Sequence, residues 1–248
     1  MKAIILAAGF GTRLKPWTDY HPKALVPVEG VPMLERVILS LIRQGIDEIC
    51  INIHHFGEQI IEYLADRKFG CHIIISDERD GILDTGGGVA RAYKLMNTDA
   101  PILVHNVDII SNADLRALFD YHLDSGNSAT LLTSDRYSSR KLLFDKAMQL
   151  KGWHNSITNE YRPVHIELAE KDYKALAFSG VYIVNNEVIE EMARIIPKPA
   201  YPVMDYFLST DRRNRIGGYC PESLELLDIG KPASLSQAPD ILKKIRSN

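Results

Sequence analysis

Cysteine is scarce in this 248-residue sequence: Cys50, Cys71 and Cys220 are the only three, and they lie far apart. Their number and spacing exclude a disulfide framework and a cysteine metal site, and predict a reducing, cytoplasmic environment. Net positive charge is lacking too, since 29 Lys and Arg against 32 Asp and Glu leave −3. Without a global basic field, nucleic acid is not an expected partner, and any polyanion has to be met by a local group of cations. No hydrophobic run at the start is long enough to cross a bilayer. The segment Ala3-Ile4-Ile5-Leu6-Ala7-Ala8 breaks into glycine and charge, so it reads as a buried strand rather than an export signal or anchor. Linkers, low-complexity tracts and internal repeats are also lacking. Their lack predicts one domain over 1–248 and excludes solenoid and hexapeptide architectures.

What the chain does have is enough apolar residue, 46%, to bury a full α/β core. Short continuous apolar runs at 2–7, 47–53, 72–77, 101–106 and 128–133 predict strands covered on both faces. Between them, 32–44 repeats apolar residues at helical spacing (Leu34, Val37, Ile38, Leu41, Ile42), with Pro32 before it and Gly45 after. Segments 57–66 and 113–123 are also helical in period, the latter with Asn112 as its expected cap. This βαβ order predicts a Rossmann-like, doubly wound, mainly parallel sheet flanked by helices, with ligands at the strand C-terminal ends of 1–135. Residues 136–248 form the expected second half. It holds a hairpin of 142–144 and 148–150, strands near 176–184, 215–219 and 225–228, helices near 186–194 and 202–209, and a C-terminal helix from about 232.

Directly after the first strand comes Gly9-Phe10-Gly11-Thr12-Arg13-Leu14, then Pro22-Lys23-Ala24-Leu25-Val26-Pro27-Val28. Glycines let backbone approach phosphate oxygens closely, and Arg13 and Lys23 supply the cations that a triphosphate needs. Leu14 stands where a dinucleotide fingerprint requires its third glycine, and no Gly-Lys-Ser/Thr ending is present. A dehydrogenase and a P-loop kinase are therefore both disfavoured.

The run Leu6-Ala7-Ala8-Gly9-Phe10-Gly11-Thr12-Arg13-Leu14-Lys15-Pro16, followed by Pro22-Lys23-Ala24-Leu25-Val26-Pro27-Val28, resembles the signature of the sugar-1-phosphate nucleotidyltransferases that make nucleoside-diphosphate sugars. The resemblance continues through 84–88, 106–108, 178–183 and 228–232. It is strongest to small single-domain members, among them uridylyltransferases of N-acetylmuramate 1-phosphate and guanylyltransferases of mannose and heptose 1-phosphate. It implies the nucleotide-diphospho-sugar transferase fold, with 1–135 as the nucleotide-binding half and 136–248 as the sugar-binding half that adds a second metal ligand. It also implies a magnesium-dependent enzyme whose substrates are a nucleoside triphosphate and a sugar 1-phosphate. UTP with N-acetylmuramate 1-phosphate is favoured first, and GTP with mannose or heptose 1-phosphate next. By the same resemblance Leu6, Ala8, Gly9, Gly11, Thr12 and Arg13 contact the nucleotide. Arg13 holds the β- and γ-phosphates, and Lys23 neutralises the α-phosphate and the sugar phosphate.

Asp108 ends the apolar run Pro101–Val107, and Asp228 ends Leu226-Leu227. Two carboxylates from separate strand ends suit magnesium, which takes hard oxygen ligands and shares them with phosphates and water. Asp228 has a second reading, as the cap of a helix opened by Pro232. Family members carry Gly before the first aspartate and Thr at the position of Lys231; Val107 and Lys231 depart from that pattern, and Val107 narrows the space expected beside an ion. Thr85, Gly86 and Gly87 open a helix, where bare backbone can receive a flat base. Asp77, Glu78 and Gln59 are the candidates to read base edges. Asn106, Ser179 and Gly180 are the sugar-side candidates. His54-His55 reads as loop, because adjacent side chains diverge. A monomer and a homodimer fit equally. The alternative function is a non-catalytic nucleotide-sugar-binding subunit with the same fold, which the substitution at Val107 keeps open.

Overall fold

The computed structural model describes residues 1–163, 173–196, 198–209, 215–230 and 232–247. Lys231 lies outside the described residues. The chain begins with β1 (Lys2–Leu6), the glycine loop, three short 3₁₀ turns ending at Leu25, and a small β2–β3 pair (Pro27–Val28, Val31–Pro32). Helix α1 (Met33–Arg43) leads to β4 (Glu48–Ile53), α2 (Gly57–Ala65) to β5 (His72–Asp77), and α3 (Asp84–Leu95) to β6 (Ile102–Asn106). Next come β7 (Ile109–Ser111), α4 (Leu115–Ser125), β8 (Ala129–Ser134), and the strands β9 (Arg140–Phe144), β10 (Leu150–Asn155) and β11 (Glu160–Arg162). The remainder is β12 (Lys174–Val184), α5 (Asn186–Ile195), α6 (Val203–Phe207), β13 (Ile216–Tyr219), β14 (Leu226–Asp228), α7 (Pro232–Leu235) and α8 (Ala238–Ser247).

The main sheet runs β11-β10-β9-β12-β6-β1-β4-β5, with β8 beside β12 and β13 beside β8. Strands β6, β1, β4 and β5 are parallel neighbours, as the continuous apolar runs predict, and β13 is parallel to β8. Strand β12 is antiparallel to β6, β8 and β9, and the β9–β11 meander extends the sheet in antiparallel pairs.

Alternation along the strands sends side chains to two hydrophobic layers. Ile4, Ile102 and Val104 pack with Val89 and Ala92 of α3, Val188 and Met192 of α5, and Tyr206 and Phe207 of α6. Ala3, Ile5 and Leu103 pack on the other face with Leu34, Val37, Ile38 and Leu41 of α1, Ile60 of α2 and Leu118 of α4. The apolar stripe of α1 is therefore the one its periodicity predicts, and the helix ends just before Gly45, whose φ is +86°. A third cluster joins Ile110, Leu227 and Ile229 to Ala238 and Leu242 of α8, holding the carboxyl-terminal part against the site side.

Two expectations are corrected. Helix α4 is capped by Asp114, whose carboxylate accepts the Ala117 N–H at 2.9 Å. Asn112 is occupied elsewhere: its amide donates to Ser223 O at 3.1 Å and accepts from Glu225 N at 2.8 Å. The expected single C-terminal helix is two, α7 and α8, separated at Ser236 and Gln237.

Candidate active site

A cleft of about 400 Å³ opens at the C-terminal ends of β1, β4 and β6, lined by Leu6, Ala8, Gly9, Phe10, Lys23, Asn52, Ile82, Asp84, Thr85, Asn106, Asp108 and Ala200 among others. This is where an open α/β sheet places its ligands. The glycine loop leaves β1 with Gly11 in the left-handed region, φ +63°, and a Cβ there would lie 2.8 Å from the Cβ of Lys23. Only glycine lets the loop lie against the Lys23 stem. Thr18 Oγ1 donates to Gly11 O at 3.0 Å and closes the loop.

The four charged candidates come together. Lys23 Nζ forms a salt bridge to Asp108 Oδ2, both side chains being largely buried. Asp108 follows β6, and its carbonyl accepts the Ile229 N–H at 2.9 Å. Strands β7 and β14 pair antiparallel, with Asp228 opposite Ile109. That short ladder is what carries Asp228 to the side of Asp108. The Cα of Gly230 marks the meeting point: a Cβ built there would lie 2.8 Å from Arg13 Nη2, 2.8 Å from Asp228 Oδ1 and 2.9 Å from Asp108 Oδ2. Asp228 Oδ1 accepts the Gly230 N–H at 2.8 Å, so the carboxylate orders its own turn. Among the described residues Arg13 has neither an ion pair nor a hydrogen bond, which leaves an exposed guanidinium near Asp108 and Asp228.

Two carboxylates flanking one point beside the loop fit magnesium, which commonly takes one or two protein carboxylates and completes its shell from phosphates and water. The described residues hold no group of three or more His, Cys, Asp or Glu side chains arranged for a metal, so the remaining ligands would have to be non-protein. Val107 is buried against the layer containing Ala7, Ala24 and Val181, and its N–H donates to Leu6 O at 3.1 Å.

Other candidates separate. Asn106 lines the cleft, and Gly180, at φ +73°, stands directly behind it; a Cβ on Gly180 would come within 2.7 Å of Asn106 Nδ2. A register shift in β12 between Phe178 and Tyr182 brings Gly180 there. Ser179 is only 1% exposed and lies outside the cleft lining, so it backs the site rather than touching it. Thr12 is exposed and lies outside the cleft lining. Thr85 lines the cleft, yet its hydroxyl accepts the Val203 N–H at 2.9 Å. Gly86 and Gly87 do not line it: a Cβ on Gly86 would lie 2.2 Å from the Tyr201 ring, and one on Gly87 2.0 Å from Pro199 O. These two glycines serve close packing of segment 199–201 on α3, where the sequence suggested an open platform for a base.

The expected base readers are also engaged elsewhere. Asp77 is paired with Arg79, which holds its carboxyl below the usual range. Gln59 bonds Tyr20 O and His21. Glu78 is 0% exposed, and burial pushes its pKa up against hydrogen bonds from Asn52 and the Leu83 N–H. Asn52 is a cleft residue the sequence reading passed over. Its signal was a lone amide inside the apolar run Ile49-Cys50-Ile51-Asn52-Ile53.

A sequence profile of the family described as Nucleotidyl transferase matches residues 2–142, more than half of the chain. The chain belongs to the nucleotidyl transferase family. Among its relatives, the mannose-1-phosphate guanyltransferase of Gibberella zeae is 28% identical over 235 residues, 94% of this chain and 61% of that protein. The N-acetylmuramate alpha-1-phosphate uridylyltransferase of Neisseria meningitidis serogroup B is 42% identical over 120 residues, 48% of this chain and 52% of that protein. This nucleotidyl transferase family chain thus spans only about half to three fifths of those relatives. The crystal structure of HddC from Yersinia pseudotuberculosis complexed with GMP-PN superposes with a TM-score of 0.76 at 21% identity, covering 97% of this chain and 99% of that one. The fold is the nucleotide-diphospho-sugar transferase fold, as the sequence predicts. Among the described residues, no helix is long and apolar enough to cross a membrane.

Proposed function

We propose that the protein transfers a nucleotidyl group from a nucleoside triphosphate to a sugar 1-phosphate, forming a nucleoside-diphosphate sugar and pyrophosphate. The observation that carries this reading is the convergence of Arg13, Lys23, Asp108 and Asp228 beside a glycine loop at the sheet edge. A sugar-phosphate oxygen attacks the α-phosphorus in line, the bond from that phosphorus to the β-phosphate oxygen breaks, and pyrophosphate leaves. The nucleophile is already an anion, so no general base is required. The chain's task is to bring two polyanions together and stabilise charge in the transition state. Arg13, free of protein carboxylates among the described residues, takes the β- and γ-phosphates. Lys23, held at the cleft by Asp108 before substrate arrives, offsets charge on the α-phosphate and the sugar phosphate. Leu6, Ala8 and Gly9 line the nucleotide side, and Asn106, positioned against Gly180, lines the sugar side. Asp108 and Asp228 are the residues that would hold magnesium, which when bound supplies positive charge to the phosphate oxygens.

UTP with N-acetylmuramate 1-phosphate is the first substrate pair on this reading, supported by the 42% identity to the Neisseria uridylyltransferase over its matched 120 residues. GTP with mannose or heptose 1-phosphate is the second. Pyrophosphate release across triphosphates and sugar 1-phosphates, with and without magnesium, tests the proposal. Turnover that needs both substrates supports it; nucleotide binding without release in any combination refutes it in favour of a non-catalytic subunit. Arg13→Ala and Lys23→Ala should each lower kcat by about 10²–10³, the usual effect of removing one transition-state contact. Tm should be nearly unchanged in Arg13→Ala, whereas Lys23→Ala, which leaves the largely buried Asp108 without its cation, should also lower Tm. Near-normal turnover in either variant would overturn the roles given to these two side chains.

A further inference from the structure

One amide and one carboxylate, both interior, join the two loops that line the cleft. Asn52 is 2% exposed and Glu78 0%; Asn52 is the penultimate residue of β4 and Glu78 directly follows β5, its parallel neighbour. Asn52 Oδ1 accepts from the N–H groups of Ala7 at 2.6 Å and Ala8 at 3.3 Å, where the glycine loop leaves β1. Asn52 Nδ2 donates to Glu78 Oε1 at 2.8 Å. Glu78 Oε2 then accepts the Leu83 N–H at 3.1 Å, just before Asp84 and Thr85 enter the cleft wall. Gly88 keeps this path open, since a Cβ there would lie 2.8 Å from Asn52 Nδ2 and 2.9 Å from Glu78 Oε1.

Burial of a carboxylate is costly unless its charge is answered, and Glu78 has no salt bridge among the described residues. Hydrophobic residues could fill the same volume at less cost. They could not hold three backbone N–H groups from two separate loops in fixed relation. We infer that Asn52 and Glu78 are positioning residues that set the distance and orientation between the glycine loop and the Ile82–Thr85 wall, and so tune capture of the triphosphate. The inference rests on the nucleotidyl-transfer reading of the cleft.

The bonding pattern has a direction that makes it testable. With Glu78→Gln, one of the two accepting oxygens becomes an NH2 group, so either Asn52 Nδ2 or the Leu83 N–H faces a donor and a buried donor is left unmet. With Asn52→Asp, two carboxylates face each other with no donor between them. The double substitution Asn52→Asp/Glu78→Gln restores every bond: the new carboxylate at 52 accepts from Ala7, Ala8 and the new amide at 78, whose oxygen accepts from Leu83. All three variants are near-isosteric, and the double variant keeps the wild-type charge.

The experiment measures amide hydrogen exchange in segments 6–11 and 79–88, Tm, and KM and kcat for UTP and GTP in pyrophosphate release with magnesium. Each single variant should lose protection in both segments and raise KM for the productive triphosphate by about tenfold, the scale of one unmet buried hydrogen-bonding group. kcat should change less. The double variant should recover protection and return KM to near the wild-type value. Wild-type KM and exchange in both single variants would overturn the inference. So would recovery of Tm in the double variant without recovery of KM, because that result describes a merely structural pair. If the wild type releases no pyrophosphate, the functional reading fails. Exchange then decides alone: loss of protection in both loops in the singles and its return in the double supports the brace, and any other pattern refutes it.

Discussion

At the residue scale, the candidate site is a problem of keeping like and unlike charges at working distance. Asp108 is satisfied in part by Lys23, and Asp228 by the Gly230 N–H. Gly230 itself contributes by having no side chain. Gly230→Ala would insert a methyl group 2.8 Å from Arg13 Nη2 and Asp228 Oδ1 and 2.9 Å from Asp108 Oδ2. Contacts this close force at least two of the three groups to move. Because Arg13 is the flexible partner, stability should hold while turnover falls by at least about tenfold, comparable to losing part of a preorganised charge contact. Parallel Tm and pyrophosphate-release measurements check this; full activity would show that the three groups do not act from their present positions. Arg13, Lys23, Asp108 and Asp228 were legible as candidates in the sequence because the two cations follow closely on the glycine loop and each aspartate ends an apolar run. Asn52 and Glu78 were not read correctly, because a polar side chain's partner inside a sheet is decided by which strands become neighbours. Glu78 in particular is a base-reading candidate by sequence, next to Asp77 and Arg79, yet it is buried against Asn52.

At the element scale, α3 carries three consecutive glycines, each costing about 1 kcal/mol of helix propensity relative to alanine. The helix tolerates them because segment 199–201 lies where side chains on Gly86 and Gly87 would be, and Asn52 and Glu78 where one on Gly88 would be. Gly86 N–H donates to Tyr201 O at 2.8 Å, and Tyr201 N–H to Leu83 O at 3.1 Å, so backbone meets backbone. Gly87→Ala should therefore destabilise, since its Cβ would lie 2.0 Å from the rigid carbonyl of Pro199. Overpacking of this kind costs about 1–3 kcal/mol, or roughly 2–4 °C in Tm for each kcal/mol in a chain of this size. An unchanged Tm with weakened nucleotide binding would instead return Gly87 to the base platform that the sequence suggests. The strands of the parallel centre were legible for a simple reason: covered on both faces, they appear as unbroken apolar runs. Helix ends were less so. Asn112 and Asp114 are both good caps by type, and the choice of Asp114 depends on Asn112 bridging to Ser223 and Glu225, more than a hundred residues away.

At the scale of the whole molecule, the sheet separates two hydrophobic layers, and several polar side chains are buried in them away from the cleft. His105 is one of these. It is 6% exposed on β6, and its Nδ1 lies 2.8 Å from Asn106 O, which fixes that nitrogen as the donor of a neutral ring. Burial pushes its pKa down to about 4, against an ordinary value of about 6.5 in the unfolded chain. The direction sets the sign. Above about pH 6.5 neither state binds the proton and the site is indifferent to pH. Between about 6.5 and 4 the unfolded chain takes up a proton that the folded one refuses, so stability falls by up to about 1.4 kcal/mol per unit. Below about 4 both states are protonated and the loss stops growing. His122, bonded to Thr130 and Asn185 and also lowered by burial, acts in the same direction. His105→Asn removes one titrating group and retains a donor for the Asn106 carbonyl. Urea unfolding at pH 7 and pH 5 should then show the wild type losing about 2 kcal/mol more between the two values than the variant does. Equal losses would mean that the ring takes its proton within the fold, and that the layer beneath β6 opens to water before the molecule unfolds.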